Sequence, residues 1–242
     1  MYIKRYHVVL LLFVGILILT ACNPIIKGSG DLVSETRQVS GFDRVTLSGS
    51  GDVIVTQGMG ESLTIETDDN VMQHVKAEVD GGTLNLGFEE GINFISPSRL
   101  IFYVGADDLI GLTITGSGEI EGDRIETDRL EAGISGSGNV RITDLKANEI
   151  RANISGSGEI DLAGEVVSQD VNISGSGEYL TGDICSETVS VNISGSGDAT
   201  VCATERLDTN ISGSGSVNYY GRPSINSSGS GSGEIINLGE KE

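Results

Sequence analysis

Carboxylates recur at one fixed place in this 242-residue chain. Directly after each Ser-Gly-Ser-Gly motif, or its Thr115 variant, stands Asp52, Glu119, Asn139, Glu159, Glu178, Asp198, Ser216 or Glu234. Acids stacked one above another could bind calcium, which takes about six to eight oxygen ligands. Glu159, Glu178 and Asp198 are the candidates for that role. The same column could instead supply a catalytic acid pair. The competing reading is a solvated turn column whose charge keeps sheet edges from associating. Two features favour it: Asn139 and Ser216 interrupt the series, and the spacing is not that of the nine-residue calcium β-roll.

Other chemistry is sparse. His74 is the one histidine beyond the N-terminal leader, and it has no neighbours in sequence from which a Ser-His-Asp or Cys-His set could be argued. No His/Cys cluster suggests zinc. The Gly-Ser-Gly triplets follow strand-like runs but open no helix, so they are not phosphate loops. No catalytic or cofactor-binding residue is assigned. Of the cysteines, Cys185 lies nine residues before Ser194 and Cys202 ten before Ser212. That offset of one places them in adjacent repeats, within reach of a Cα separation of about 5–6 Å. It can also turn one inward and one outward. A disulfide and two packed thiols both stay open.

What must position these residues is a repeat. The first residue of each motif is Thr115, Ser135, Ser155, Ser174, Ser194, Ser212 and Ser230, at spacings of 20, 20, 19, 20, 18 and 18. Ser48 begins an earlier copy, and Gly28-Ser29-Gly30 is a candidate for another. Within a repeat, apolar residues alternate as in a strand. Aligned copies give columns: Ile114, Ile134, Ile154, Ile173, Ile193 and Ile211; Ala132, Ala152, Val171, Val191 and Thr209; and, after the glycines, Ile120, Val140, Ile160, Tyr179, Ala199, Val217 and Ile235. Paired glycines among β-branched residues disfavour helix. Glycine fits a corner that needs positive φ or has no room for Cβ.

The expected fold is therefore all-β: a parallel β-helix, or solenoid, with coils of about 20 residues stacked about 4.8 Å apart. A right-handed sense is the default for parallel crossovers. Seven coils from Thr115 onward would make a rod of roughly 30–35 Å. Asn and Ser outside each Ile would stack on themselves, and such columns can form hydrogen-bonded ladders. Asn-Ile-Ser also matches the N-glycosylation acceptor, but coils this close could not carry a glycan at every Asn.

Four segments follow. Residues 1–21 read as a leader, 22–30 as a linker, 31–114 as irregular β-coils, and 115–242 as regular solenoid with a C-terminal cap. In 31–114, "ESLTIET", "GTLNLGF" and "RLIFYV" read as strands, with an "EVDGGT" turn before the second. "NVMQHVKAEV" holds a helical turn or a strand. A separate small β-domain is the alternative for this half. The break at Pro223 and the charged tail suit a cap, because a bare solenoid edge invites pairing with other chains.

The leader sets the compartment. Lys4 and Arg5 precede an apolar run from Val8 to Leu19, a signal-peptide pattern too short to span a membrane well. It ends in Leu19-Thr20-Ala21-Cys22, which resembles a bacterial lipobox with Cys22 as the lipidated residue. Asn23, not Asp, follows, and so resembles the outer-membrane sorting signal of Gram-negative lipoproteins. Removing residues 1–21 takes the formal charge from −20 to −22. Such a field repels nucleic acid and anionic headgroups, so nucleic acid is excluded as a partner; cations, including calcium, are allowed. The absence of Trp argues against a sugar site built on stacked rings, but not against polar sugar recognition.

"GFDRVTLSGSGDVIVTQG" (41–58), "ESLTIETDDN" (61–70), "GTLNLGF" (82–88) and the SGSG coils together resemble the bacterial auto-transporter adhesin "head GIN" domain. The likeness runs over nearly all of 28–242. It implies a β-helical fold and an adhesin-type role, with no catalytic residues to carry over. The expectation is a lipid-anchored, extracytoplasmic, non-enzymatic surface module whose partner is a glycan or a cell-surface protein. A polysaccharide lyase or hydrolase and a calcium-stabilised rod are the alternatives.

Overall fold

A computed structural model describes residues 25–89, 91, 93–95 and 99–241. The leader and Cys22 lie outside them. The strands are β1 (Ile25–Lys27), β2 (Leu32–Arg37), β3 (Arg44–Gly49), β4 (Asp52–Gln57) and β5 (Ser62–Asp68), followed by the short helix α1 (Asp69–Met72). Then come β6 (Val75–Asp80), β7 (Thr83–Phe88), β8 (Asn93–Ile95), β9 (Leu100–Ala106) and β10 (Gly111–Gly116). The long strands are β11 (Glu119–Gly136), β12 (Asn139–Gly156), β13 (Glu159–Gly175), β14 (Glu178–Gly195) and β15 (Asp198–Gly213). β16 (Ser216–Tyr220), β17 (Ser224–Gly231) and β18 (Glu234–Gly239) complete the chain.

The repeat is a parallel β-solenoid of about six turns. Seven motif copies from Thr115 to Ser230 delimit six full turns, so the motif count exceeds the turn count by one. Each coil pairs with the next in parallel: Ile134 sits on Ile114 and under Ile154, and the column continues through Ile173, Ile193 and Ile211. These side chains are at most 6% exposed, and each one fully buried contributes roughly 1.5–3 kcal/mol. The two strands expected per repeat merge into one that bends. In β11 the alternation breaks at Asp123 and Arg124, two exposed residues in a row, and Ile125 then starts a further buried column.

From Thr115 onward the two glycines of each corner have different causes. The first has positive φ, from 122° at Gly175 to 137° at Gly116, and a Cβ on Gly156 would lie 2.2 Å from the Gly136 carbonyl oxygen one coil below. The second has ordinary φ but no space: a Cβ on Gly158 would lie 2.5 Å from Cγ2 of Ile134. The corner is closed by bonds such as Ser157 N–H to Gly136 O at 2.8 Å. Uneven repeat lengths are absorbed elsewhere. Registers shift between Ile142 and Leu145, between Asp161 and Ser168, and between Thr181 and Thr188, always on the stretch between one SGSG corner and the next strand run.

The irregular half joins the same stack. β3 lies on β10 with Ser48 against Thr115, and β4 lies on β11 with Asp52 against Glu119. Between them the chain leaves and returns, and the excursion closes this end with antiparallel strands: β6 on β7, and β5 on both β9 and β2. "NVMQHVKAEV" divides into α1 and β6. Gly28-Ser29-Gly30 is not a coil copy. Its backbone and Ser29 hydroxyl donate instead to the carboxylates and amide of Asp68, Asp69 and Asn70, at 2.6–3.0 Å. The likeness of the letters misleads there because the preceding strand β1 pairs with β8 and not with a coil of the stack.

Among the described residues the C-terminal strands are a further coil and not a separate element over the stack. β17 and β18 continue it on β15 and β16, and every residue of β17 is exposed.

Candidate functional site

The apolar alternation that buries Ile154 turns Asn153 and Ser155 outward on the same side, about 6.6 Å apart along the strand. Stacking repeats this pair. The outer columns are Thr113, Gly133, Asn153, Asn172, Asn192 and Asn210 beside Thr115, Ser135, Ser155, Ser174, Ser194 and Ser212. The face they cover is a shallow groove of about 650 Å³. Asn172 donates its amide to Asn153 Oδ1 at 3.4 Å, and Asn192 donates to Asn172 Oδ1 at 3.3 Å. The Asn ladder thus forms, and its amides are held in one orientation. Among the described residues no such bonds link the Ser hydroxyls, which remain exposed and rotatable. Gly133 leaves a notch at one end of the Asn column.

Every residue lining the groove is uncharged, in a chain of formal charge −20. Rows of amides and hydroxyls repeat at coil spacing over a floor of Ile backbone. Such a surface offers both donors and acceptors to an extended neutral polymer. It offers no group that transfers a proton near neutral pH.

The acidic column lies in register as expected: Glu119, Asn139, Glu159, Glu178, Asp198 and Ser216. Its members do not converge. Asp198 accepts the Ser216 backbone N–H at 2.8 Å, and Glu159 lies 4.0 Å from Arg141, which also meets Asp161 at 3.3 Å. Among the described residues no three His, Cys, Asp or Glu side chains are grouped to hold a metal ion. Burial, then the charges of Glu121 and Asp52, raise the Glu119 carboxyl above its ordinary value. His74 lies at the opposite end of the fold from the last coils and meets Glu89 at 3.8 Å. Cys185 and Cys202 are disulfide-bonded, directly paired on β14 and β15, with Cys185 exposed and Cys202 buried. The exposed half borders a second, acidic groove of about 480 Å³ with Glu126, Asp128, Glu165 and Glu187.

Sequence reasoning missed one buried polar set. Gln169 replaces the aliphatic residue that Ile150 and Val189 supply in the coils on either side. Its Oε1 accepts from the Tyr179 and Thr181 hydroxyls, both at 2.9 Å, and its Nε2 donates to Ser186 Oγ at 2.8 Å. Burial raises the Tyr179 phenol well above its usual range. These residues are close in sequence, but only the register shift in this coil brings them together.

The segments that resembled a known family also interlock. Glu61 accepts the Gly41 and Phe42 backbone N–H groups at 2.7 and 3.0 Å, and the Gly82 carbonyl accepts those of Asp43 and Arg44. The profile of the family described as putative auto-transporter adhesin, head GIN domain, matches residues 41–223. The chain belongs to this family. Solved structures agree on the head GIN fold. A putative adhesin from Bacteroides fragilis is 26% identical, with a TM-score of 0.84 over 88% of this chain and 100% of that one. A structure described as a putative lipid binding protein, from Parabacteroides distasonis, is 28% identical, with a TM-score of 0.76 over 89% and 100%. A putative adhesin from Parabacteroides merdae, 21% identical with a TM-score of 0.67 over 88% and 99%, shares the fold. No curated protein matches the chain.

Proposed function

We propose that this head GIN protein is a non-enzymatic, adhesion-type module of the bacterial envelope that holds a neutral, hydroxyl-rich polymer along the Asn–Ser groove. The observation that carries the reading is the missing charge. Selection for solubility alone would let acids fall on every exposed face, as they do on the acidic column and around Glu126. The groove has none. A glycan presents the hydroxyls that the Asn amides and free Ser hydroxyls complement, and several weak sites spaced by coils add through avidity.

Export and a lipid on Cys22 complete the reading, with the outer membrane as the destination in a Gram-negative cell. Lipobox-like sequence and Asn23 support this, and several acyl chains on one Cys give the stable anchoring that one chain does not. Metabolic labelling with a fatty acid tests it: label should follow the wild type and vanish in Cys22→Ser, and label that persists in the variant refutes the anchor.

The polymer reading is tested by retention of the chain on envelope and plant polysaccharides, with release of new reducing or unsaturated ends followed in the same wells. Saturable retention on a neutral polymer without new ends is the expected result. Release of ends would favour a lyase or hydrolase, starting from Glu159, Asp161 and the Arg141 between them. Retention only on cationic polymers would move the site to the acidic faces.

A further inference from the structure

Glycine inside a strand weakens it and often marks a place where a ligand or another backbone comes close. Among the described strands, Gly105, Gly111, Gly122, Gly133 and Gly182 stand without positive φ. At four of them a Cβ would come within 3.2 Å of a neighbouring atom, so packing accounts for the glycine. Gly133 differs. A Cβ there would meet nothing nearer than Thr113 Oγ1 at 3.5 Å, an ordinary contact. Neither backbone nor packing requires glycine at this position, yet the Asn column stops here: Asn153 lies directly on Gly133.

The missing side chain opens a recess of about 320 Å³ lined by Thr113, Glu131, Ala132, Gly133, Arg151 and Asn153. Ligand pockets begin at about this size. Thr113, Gly133 and Asn153 also line the Asn–Ser groove, so the recess opens into its end. Its chemistry is new. Glu131 and Arg151 are register partners on β11 and β12 and bring one charge of each sign, which the groove proper lacks. Arg151 is held in place, because its Nε donates to Glu149 Oε1 at 2.7 Å and Glu149 also accepts from Arg129 at 2.7 Å. Among the described residues its two Nη atoms donate no hydrogen bond. The Asn153 Oδ1 accepts from Asn172, which leaves its Nδ2 on the Gly133 side, where no acceptor stands. A carboxylate accepts two hydroxyls, a guanidinium donates two parallel N–H groups, and the amide donates one more. Together they match hydroxyls on adjacent carbons. The paired charges favour neither an acidic nor a basic sugar.

We propose that the Gly133 recess is a monosaccharide subsite at the end of the groove. It takes a terminal neutral sugar unit, one joined to its polymer by a single bond, and grips the vicinal hydroxyls between the Glu131 carboxylate and the Arg151 guanidinium. The subsite rests on the groove reading only for the path of the polymer beyond that unit.

Saturation-transfer NMR of the full chain with the methyl glycosides of glucose, galactose and mannose tests this, since each is a terminal unit by itself. At least one should bind saturably. Gly133→Asn places a side chain where the fold admits one, so it should melt no lower than the wild type and lose that binding. Glu131→Gln keeps the shape and loses the charge-assisted acceptor, and should bind roughly tenfold more weakly. Ser194→Asp, in the groove two coils from Asn153, should leave glycoside binding intact. Retention of the wild type on neutral polymers reads the groove separately, so failure of one leaves the other measurable. Three results overturn the subsite: no glycoside bound by the wild type, binding unchanged in both Gly133→Asn and Glu131→Gln, or methyl glucuronide bound more tightly than methyl glucoside.

Discussion

Thr209 stands in a core column with Ala152, Val171 and Val191, is 3% exposed, and its hydroxyl has no hydrogen-bond partner among the described residues. A buried unpaired hydroxyl costs about 1–3 kcal/mol. Thr209→Val is nearly the same shape and should stabilise the fold by about 1 kcal/mol, raising the melting temperature by about 2–4 °C. An unchanged or lower value in thermal melts would mean that the hydroxyl is satisfied in solution. Glu119 makes a pH-dependent counterpart. Its carboxyl is raised by burial first and then by Glu121 and Asp52. A raised carboxyl favours the fold while protonated, and that contribution is lost as pH rises through the folded value. Glu119→Gln should therefore melt higher than wild type at pH 7, and the gap should close as pH falls below the ordinary Glu range. Glu149 and Asp208 act in the opposite sense: hydrogen bonds from Arg151 and Arg129, and from Arg206, lower them. Their contribution is present at neutral pH and lost on acidification, and at such exposed sites it is at most about 1 kcal/mol each.

The coil is the element of this fold, and it was largely legible in the sequence. A period near 20, fixed glycines and Ile in phase gave stacking, register and the identity of the core columns. The column of Ile125 and Leu145 was not visible, because it follows two exposed residues in a row and breaks the alternation that revealed the others. The antiparallel excursion between β4 and β10 showed its strands but not its pairing, which depends on contacts such as Glu61 with Gly41. Pro223 and the charged tail suggest a cap, but β17 and β18 form another coil in register, and its polar letters reflect exposure. Since each coil touches only its neighbours, the cost of damage should depend on position. Gly175→Ala puts a Cβ 2.4 Å from Gly156 O at φ 122°, between two packed coils, and should cost about 3 kcal/mol. Gly231→Ala meets Gly213 O at 2.2 Å but sits in the end coil, which can shift outward, and should cost clearly less. Equal losses in chemical denaturation would argue against coil-by-coil stability.

For the whole molecule, charge and shape separate two kinds of surface. Acids cover the column after SGSG and the groove by Cys185, and no three of them converge on a metal position among the described residues. Chelation should leave the melting curve in place; a fall of several degrees in EDTA would revive the calcium-stabilised rod. The Asn–Ser face is the uncharged exception. The sequence showed that Asn and Ser point outward and stack, but not that the face they cover is hollowed into a groove, because curvature comes from the closed coil and not from residue type.

The measurement that tests this account most directly compares the wild type, a groove variant and an acidic-column variant on the neutral polysaccharide that retains the wild type best. Ser155→Asp combined with Ser194→Asp places two carboxylates in the groove without touching the core. Glu159→Gln combined with Glu178→Gln removes two from the acidic column. The account predicts that the groove variant loses binding at least about tenfold, a change of about 1.4 kcal/mol, while the column variant binds as the wild type does. Full binding by the groove variant, or loss of binding by the column variant alone, would contradict it.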